Sequence, residues 1–141
     1  MLVDMGAGLA IRSLWLMPAR ELRTVVDSIN PTPVSLITAR EDATIAIRKT
    51  VIACDMRVRG MYLNRSTANI VATVISNCSS GASDGGGIRS HASVISLQRV
   101  LITHCVSGHE GGGMFIDLGT LVVQDSLIIK TSNSVMKQVL N

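Results

Sequence analysis

Two stretches decide the fold: GGGIRSHASVISLQRVLI at residues 85–102 and GGGMFIDLGTLVVQDSLI at residues 111–128. Each begins with three glycines, and each places an isoleucine fifteen positions after its last glycine, at Ile102 and Ile128. A third copy, with a single leading glycine, ends on the same spacing at Ile75. The leading glycines are 27 and then 26 residues apart. A nearly constant period of this size is typical of repeats that stack on each other.

The isoleucines align four strand-turn-strand units along the chain. These units occupy residues 45–52, 68–75, 95–102 and 121–128. Together with the glycine-led strand, each repeat has three short strands. Equivalent strands run in the same direction and a whole repeat apart, so they stack in parallel at about 4.8 Å instead of forming hairpins. The sequence therefore predicts an all-β, single-stranded parallel β-solenoid of about four coils. Its inward row contains Ile75, Ile102 and Ile128, with Val51 or Ile52 below.

The first part of the chain differs from these repeats. We treat residues 1–33 as an N-terminal flank and residues 34–141 as the repeat region. Within the flank, apolar residues at helical spacing follow Pro18 and predict a short amphipathic helix over 18–29 that caps the solenoid. The alternative is a further strand over 22–26, because Thr24-Val25-Val26 favours extended structure.

The repeats carry a family resemblance. Gly85-Gly86-Gly87-Ile88 and Gly111-Gly112-Gly113-Met114, with Ile75-Ser76-Asn77-Cys78 and Ile102-Thr103-His104-Cys105, resemble right-handed parallel β-helix repeats. In style they are most similar to the GGA[I/L/V]-type repeats of polymorphic outer-membrane proteins, within the pectin-lyase-like β-helix superfamily. The resemblance covers residues 34–141. It implies a right-handed coil and an extracellular or cell-surface location. Enzymes of similar fold act on polysaccharides with acidic groups that hold Ca²⁺.

Composition excludes several functional classes. The chain is 47% hydrophobic and only 2% aromatic, so Val and Ile supply the apolar side chains of a narrow interior. The net charge is +3, and the basic residues are scattered instead of clustered on one face as nucleic-acid binding requires. No apolar run approaches the twenty residues of a transmembrane helix. Asp4 lies where a signal peptide is basic, which makes this a poor signal peptide and leaves open whether the chain is clipped or cytosolic. The oligomeric state stays open.

The cysteines and sequons bear on the compartment. Cys54, Cys78 and Cys105 form no C-x-x-C pair, and we expect one or more of them to stay a free, buried thiol. Cys78 and Cys105 should occupy adjacent rungs, about 4.8 Å apart. Their side chains would then point in parallel, so a bridge would require reorientation, and we expect both to be free thiols in a reducing compartment. Asn64 and Asn77 begin N-x-S sequons, whose use depends on passage through a eukaryotic secretory pathway.

One group of side chains looks reactive. His104, Cys105, His109 and Glu110 lie close in sequence, and Asp84 adjoins them if the loops of successive repeats stack. Such a set can hold a metal or activate a nucleophile. The alternative is structural, because Cys105 aligns with Cys78 and His104 with Asn77, as rungs of a ladder do.

Three acidic residues are candidate enzyme groups. Asp84, Asp117 and Asp125 are the carboxylates that a β-helix lyase or glycosidase would use, but no D-x-D or D-D pattern accompanies them. The sequence assigns no catalytic, cofactor-binding or metal-binding residue, and no cofactor. It favours a non-catalytic structural or adhesive surface module, a fragment of a longer β-helix protein, with carbohydrate or protein as partner. The variable loops 79–84 and 106–110 would carry specificity. The alternative function is a carbohydrate-active β-helix enzyme, or a fragment of one.

Overall fold

The structure, a computed structural model, describes residues 35–132 with their side chains. It also describes the backbone of four outlying strands, Leu2–Val3, Gly8–Arg12, Trp15–Leu16 and Met136–Val139. Within these residues the fold is all β and contains no helix. The helix expected over 18–29 lies outside the described residues.

Four successive coils form a parallel β-solenoid, as the sequence predicts. The first coil contains β4 (Ser35–Arg40), β5 (Thr44–Arg48) and β6 (Val51–Ala53), and the second contains β7 (Arg59–Asn64), β8 (Thr67–Val71) and β9 (Val74–Ser76). The third contains β10 (Ile88–Gln98) and β11 (Leu101–Thr103), and the fourth contains β12 (Met114–Gln124) and β13 (Leu127–Ile129). Every described strand pairing is parallel.

The outlying strands extend the stack at both ends. Three of them, β1 (Leu2–Val3), β2 (Gly8–Arg12) and β3 (Trp15–Leu16), pair in parallel with β4, β5 and β6. At the other end, β14 (Met136–Val139) pairs with β12. Parallel pairing therefore also includes strands within residues 1–33. Their partners in the first coil lie 36 residues later in the sequence, a longer interval than the 26 or 27 residues between the leading glycines.

The coils present three faces to the outside. Face 1 consists of β1, β4, β7, the first parts of β10 and β12, and β14. Face 2 consists of β2, β5, β8 and the second parts of β10 and β12, and face 3 of β3, β6, β9, β11 and β13. The bends that divide β10 and β12 lie at Ala92 and Leu118, where φ is 49° and 60°.

The corner between faces 2 and 3 is repeated in every coil. Each corner contains one residue in the left-handed region, with φ between 50° and 54°: Lys49, Ala72, Arg99 and Asp125. In three coils the next residue donates its hydroxyl to the carbonyl two positions earlier: Thr50 to Arg48, Thr73 to Val71, and Ser126 to Gln124, at 2.8 to 2.9 Å. This bond offsets part of the cost of the left-handed residue and keeps each corner at the same place.

The inward rows fill the narrow interior with aliphatic side chains. Ile52, Ile75 and Ile102 are fully buried on face 3, and Ile128 packs against them at the last coil. They pair in register, which confirms the predicted row and selects Ile52 over Val51. The alignment of the leading glycines is also confirmed, since the residues that follow them, Met61, Ile88 and Met114, are register partners. Burial of one such side chain contributes about 1.5–3 kcal/mol.

Cys78 contradicts the expectation that it stays a free thiol. Cys54 and Cys78 form a disulfide with a Cα–Cα distance of 4.6 Å. The reason is local, because Cys54 precedes its left-handed corner at Asp55, whereas Cys78 follows its corner at Asn77. Their side chains therefore do not occupy equivalent positions and can meet.

Cys105 behaves as the sequence predicts. It is buried and free, and it follows a left-handed corner at His104 just as Cys78 follows Asn77. The bridge pairing Ser79↔Val106 places Cys78 and Cys105 on adjacent rungs. Burial raises the pKa of the Cys105 thiol to about 11, because an apolar environment disfavours the thiolate.

Candidate functional site

The outer side of face 1 carries polar and aromatic side chains that could contact a ligand. One row contains Thr38, Tyr62, Arg89 and Phe115, which are register partners in successive coils. The next outward row contains Arg40, Asn64, His91 and Asp117. Because side chains alternate in a strand, both rows project from the same side of the sheet.

Guanidinium groups and aromatic rings pack together on this face. The Arg40 and Arg59 guanidinium carbons lie 5.9 and 5.8 Å from the centre of the Tyr62 ring. The Arg89 guanidinium lies 5.9 Å from the centre of the Phe115 ring. These distances fall within the range of cation–π attraction. We call these five side chains, Arg40, Arg59, Tyr62, Arg89 and Phe115, the arginine–aromatic surface.

Arg59 is a structural member of this surface. It is only 4% exposed, and its guanidinium donates to the Gly85 carbonyl at 2.9 Å, the Asp84 carbonyl at 2.9 Å and the Ser83 hydroxyl at 3.1 Å. Burial, followed by the nearby Arg89 charge, lowers the pKa of Arg59 to about 10. Arg59 of the second coil therefore fixes the loop that precedes β10, and with it the position of Asp84.

That loop meets the next one at a group of titratable side chains. The His109 Nδ1 lies 2.8 Å from Asp84 Oδ1, and the Glu110 backbone N–H donates to the same oxygen at 3.1 Å. Arg89 Nη2 lies 4.0 Å from Asp84 Oδ2, and its Nη1 donates to the Ser83 hydroxyl. We call Asp84, His109 and Glu110 the loop cluster.

A second histidine–carboxylate pair lies on face 1. His91 Nδ1 is 2.9 Å from Asp117 Oδ2, and the two residues are register partners in the third and fourth coils. Both side chains are partly exposed. The pair bridges adjacent coils, and the Asp117 carboxylate holds the His91 ring in one orientation.

The structure brings together only part of the sequence-derived candidate set. Asp84, His109 and Glu110 meet, which confirms that the two loops stack. His104 points elsewhere, with its Nδ1 2.9 Å from the Thr103 hydroxyl, and Cys105 is buried. Asp125 occupies an exposed corner.

Sequence reasoning missed the contributions of Arg59 and His91. Arg59 aligns with Gly86 of the next repeat, so the repeat pattern gave no reason to single it out. His91 could have been found from its position, since it aligns with Asp117 one repeat later and the register makes them neighbours.

Two further findings concern the whole chain. Among the residues that the structure describes, there is no helix of the length and apolarity that a membrane crossing requires. No protein-family model, curated protein or solved structure matches this chain.

Proposed function

We propose that this chain is a non-catalytic adhesive module of a cell surface, and that it binds an extended acidic carbohydrate along face 1. The observation that carries this proposal is the in-register arrangement of arginine and aromatic side chains across successive coils. Arg40 is exposed beside Tyr62, and Arg89 is partly exposed one coil further along.

The chemistry of this face suits a carboxylated polymer. A guanidinium recognises a carboxylate through paired hydrogen bonds, and it does so better than a lysine ammonium. Tyr62 adds a flat apolar surface with a polar hydroxyl. Because coils repeat at about 4.8 Å, the outward side chains of successive coils form continuous rows, which favour an extended ligand over a compact one.

The titratable side chains beside this surface favour binding over catalysis. Asp84 is engaged by His109, by the Glu110 backbone and by Arg89. Asp117 is engaged by His91. Each carboxylate therefore holds neighbouring coils or loops together, which is a scaffolding role.

The disulfide supports the proposed location. Disulfides such as Cys54–Cys78 persist in oxidising environments and are rare in the cytosol. We therefore propose that the protein functions outside the reducing cytosol, at a cell surface or in the extracellular space.

The second candidate function is a carbohydrate-active enzyme, and the His91–Asp117 pair is the observation that favours it. An imidazole oriented by a carboxylate is the arrangement that general-base catalysis uses. In that case His91 would accept a proton from the substrate, and Asp117 would hold the ring.

One experiment separates these functions. The oxidised chain is incubated with polygalacturonate and, as a neutral control, with an uncharged polysaccharide. Binding is measured by co-sedimentation, and unsaturated product and new reducing ends are assayed in the same samples. The proposal predicts salt-sensitive binding to the acidic polymer without product.

Matched arginine variants test the location. Arg40→Ala should weaken polygalacturonate binding, while Arg99→Ala, which removes an exposed arginine from another corner, should not. Absence of binding, or equal losses in the two variants, would refute face 1 as an acidic-carbohydrate surface. Product formation that His91→Ala abolishes would establish the enzyme instead.

A further inference from the structure

We propose that the loop cluster is a binding site for one transition-metal cation of the Zn²⁺ type. The potential ligand atoms of Asp84, His109 and Glu110 all lie within 4.8 Å of one another. This proposal does not rest on carbohydrate binding on face 1, although Arg89 contacts both places.

Coil stacking creates the cluster from two loops. Gly85 N–H donates to the Glu110 carbonyl at 2.9 Å, and Gly86 N–H donates to the Gly111 carbonyl at 3.3 Å. These bonds align the loop before β10 with the loop before β12, so Asp84 and Glu110 occupy equivalent places on neighbouring coils. His109, one residue earlier, then reaches Asp84.

The donor set selects the class of cation. One imidazole nitrogen and two carboxylates are ligands that Zn²⁺ accepts, whereas Ca²⁺ and Mg²⁺ prefer oxygen ligands alone. Three protein ligands leave a fourth tetrahedral position for water or for a group of a partner.

The geometry requires only small side-chain adjustments. Metal–ligand bonds of about 2.1 Å in a tetrahedron separate the ligand atoms by about 3.4 Å. The His109 Nδ1–Asp84 Oδ1 distance of 2.8 Å would open slightly, and the widest separation, which is at most 4.8 Å, would close. The His109 side chain is 71% exposed and free to turn, whereas that of Asp84 is 17% exposed.

Asp84 is positioned before any cation arrives. Arg59 holds the Asp84 and Gly85 carbonyls, and the Glu110 N–H holds the Asp84 carboxylate. Arg89 lies 4.0 Å from Asp84 Oδ2, and the Arg59 guanidinium donates to the Asp84 carbonyl at 2.9 Å, so a bound cation must compete with both positive charges.

The test uses the full oxidised chain and Zn²⁺ alone, by equilibrium dialysis and titration calorimetry. The expected result is one Zn²⁺ bound per chain. His109→Ala and Asp84→Asn should each lower the affinity by at least about tenfold. Asn at position 84 keeps the oxygen that accepts from Glu110, and His109 is exposed, so both variants should fold; melting curves check this.

Control variants separate this site from other ligands in the chain. His104→Ala removes another exposed histidine, and Cys105→Ser removes the free thiol; neither should change Zn²⁺ affinity. Arg89→Gln should raise it several-fold, because a competing positive charge is lost. A chain that binds no Zn²⁺, retains full affinity as His109→Ala, or responds equally to His104→Ala would overturn the proposal. An unchanged Zn²⁺ affinity in Arg89→Gln would overturn it too. In a parallel titration with Co²⁺ in place of Zn²⁺, a Co²⁺–thiolate absorption band that Cys105→Ser removes would also overturn it.

Discussion

Replacing Gly87 by alanine tests the close stacking of the coils. A Cβ at this position would lie 2.4 Å from the Gly113 carbonyl oxygen of the next coil and 2.9 Å from Cγ2 of buried Ile102. Ordinary contact begins at 3.4 Å, so the coils must separate locally by about 1 Å. The Gly113 oxygen cannot move away alone, because it also accepts from the Ile88 N–H at 3.1 Å.

The expected magnitude follows from these contacts. Overpacking in a rigid interior costs about 1–3 kcal/mol. Weakening the two inter-coil hydrogen bonds, Gly87 to Gly112 and Ile88 to Gly113, costs about 1 kcal/mol each. We expect Gly87→Ala to lower the free energy of unfolding by about 3–5 kcal/mol.

Gly81→Ala is the matched control. A Cβ at Gly81 meets nothing within 4 Å, but its φ is +59°. The left-handed backbone costs alanine about 1–2 kcal/mol, partly offset by lower entropy of the unfolded chain. Urea unfolding of both variants, followed by circular dichroism, gives the two free energies. If Gly87→Ala loses no more stability than Gly81→Ala, the coils do not approach each other as described.

Three further predictions concern the interior and the cysteines. Ile102→Asp should abolish folding, because it buries a charge in the isoleucine row. Gln98→Asp, at a partly exposed position, should fold. Similar melting temperatures for these two variants would contradict the register. The double variant Cys54→Ser/Cys78→Ser removes a disulfide that spans 24 residues, and its free energy of unfolding should fall by about 3 kcal/mol. A reductant should destabilise the parent protein but not this variant. An equal loss of stability on reduction in both proteins would argue against the disulfide. The pKa of Cys105 is raised from 9.0 to about 11 by burial, so the folded state retains the proton more strongly than the unfolded state does. The resulting stability is fully present below pH 9 and is lost as the pH rises towards 11. Unfolding measured across that range should show a steeper decline for the parent than for Cys105→Ala, and parallel curves would refute the assignment.

The fold was predictable because the same spacing recurs in successive repeats. Ile75, Ile102 and Ile128 share a spacing from their leading glycines, and only stacked parallel strands satisfy a whole-repeat separation. The strands within residues 1–33 were not predictable in this way. Their register partners in the first coil lie 36 residues later in the sequence, whereas the leading glycines are 26 or 27 residues apart, so the repeat period does not place them beside β4, β5 and β6.

The disulfide and the site depended on departures from the repeat. Cys54 follows Ile52 by two residues, whereas Cys78 follows Ile75 by three. That single-residue difference turns the two thiols towards each other, while the equal spacing of Cys78 and Cys105 keeps Cys105 free. Part of the loop cluster was predictable from the sequence, since stacking of the repeats predicts that Asp84 adjoins Glu110. The reach of Arg59 to the loop of the next coil depends on a long side chain, which spacing alone does not reveal.

The register of the coils is the central claim, because the rows on face 1 and the loop cluster both depend on it. Asn69 and Ser96 are outward register partners, so cysteines introduced there should have Cα atoms about 4.8 Å apart, within the range of a disulfide. Asn69 is exposed and Ser96 partly exposed, so these cysteine side chains can turn towards each other, which those of buried Cys78 and Cys105 cannot do. Cysteines at Thr67 and Ser96 are two residues out of register and should lie about 8 Å apart, beyond that reach. Each cysteine pair is made as a separate variant in a Cys105→Ser background, oxidised mildly and analysed by peptide mass spectrometry. The 69–96 variant should form its crosslink, and the 67–96 variant should form little. A higher crosslink yield in the 67–96 variant than in the 69–96 variant would contradict the account.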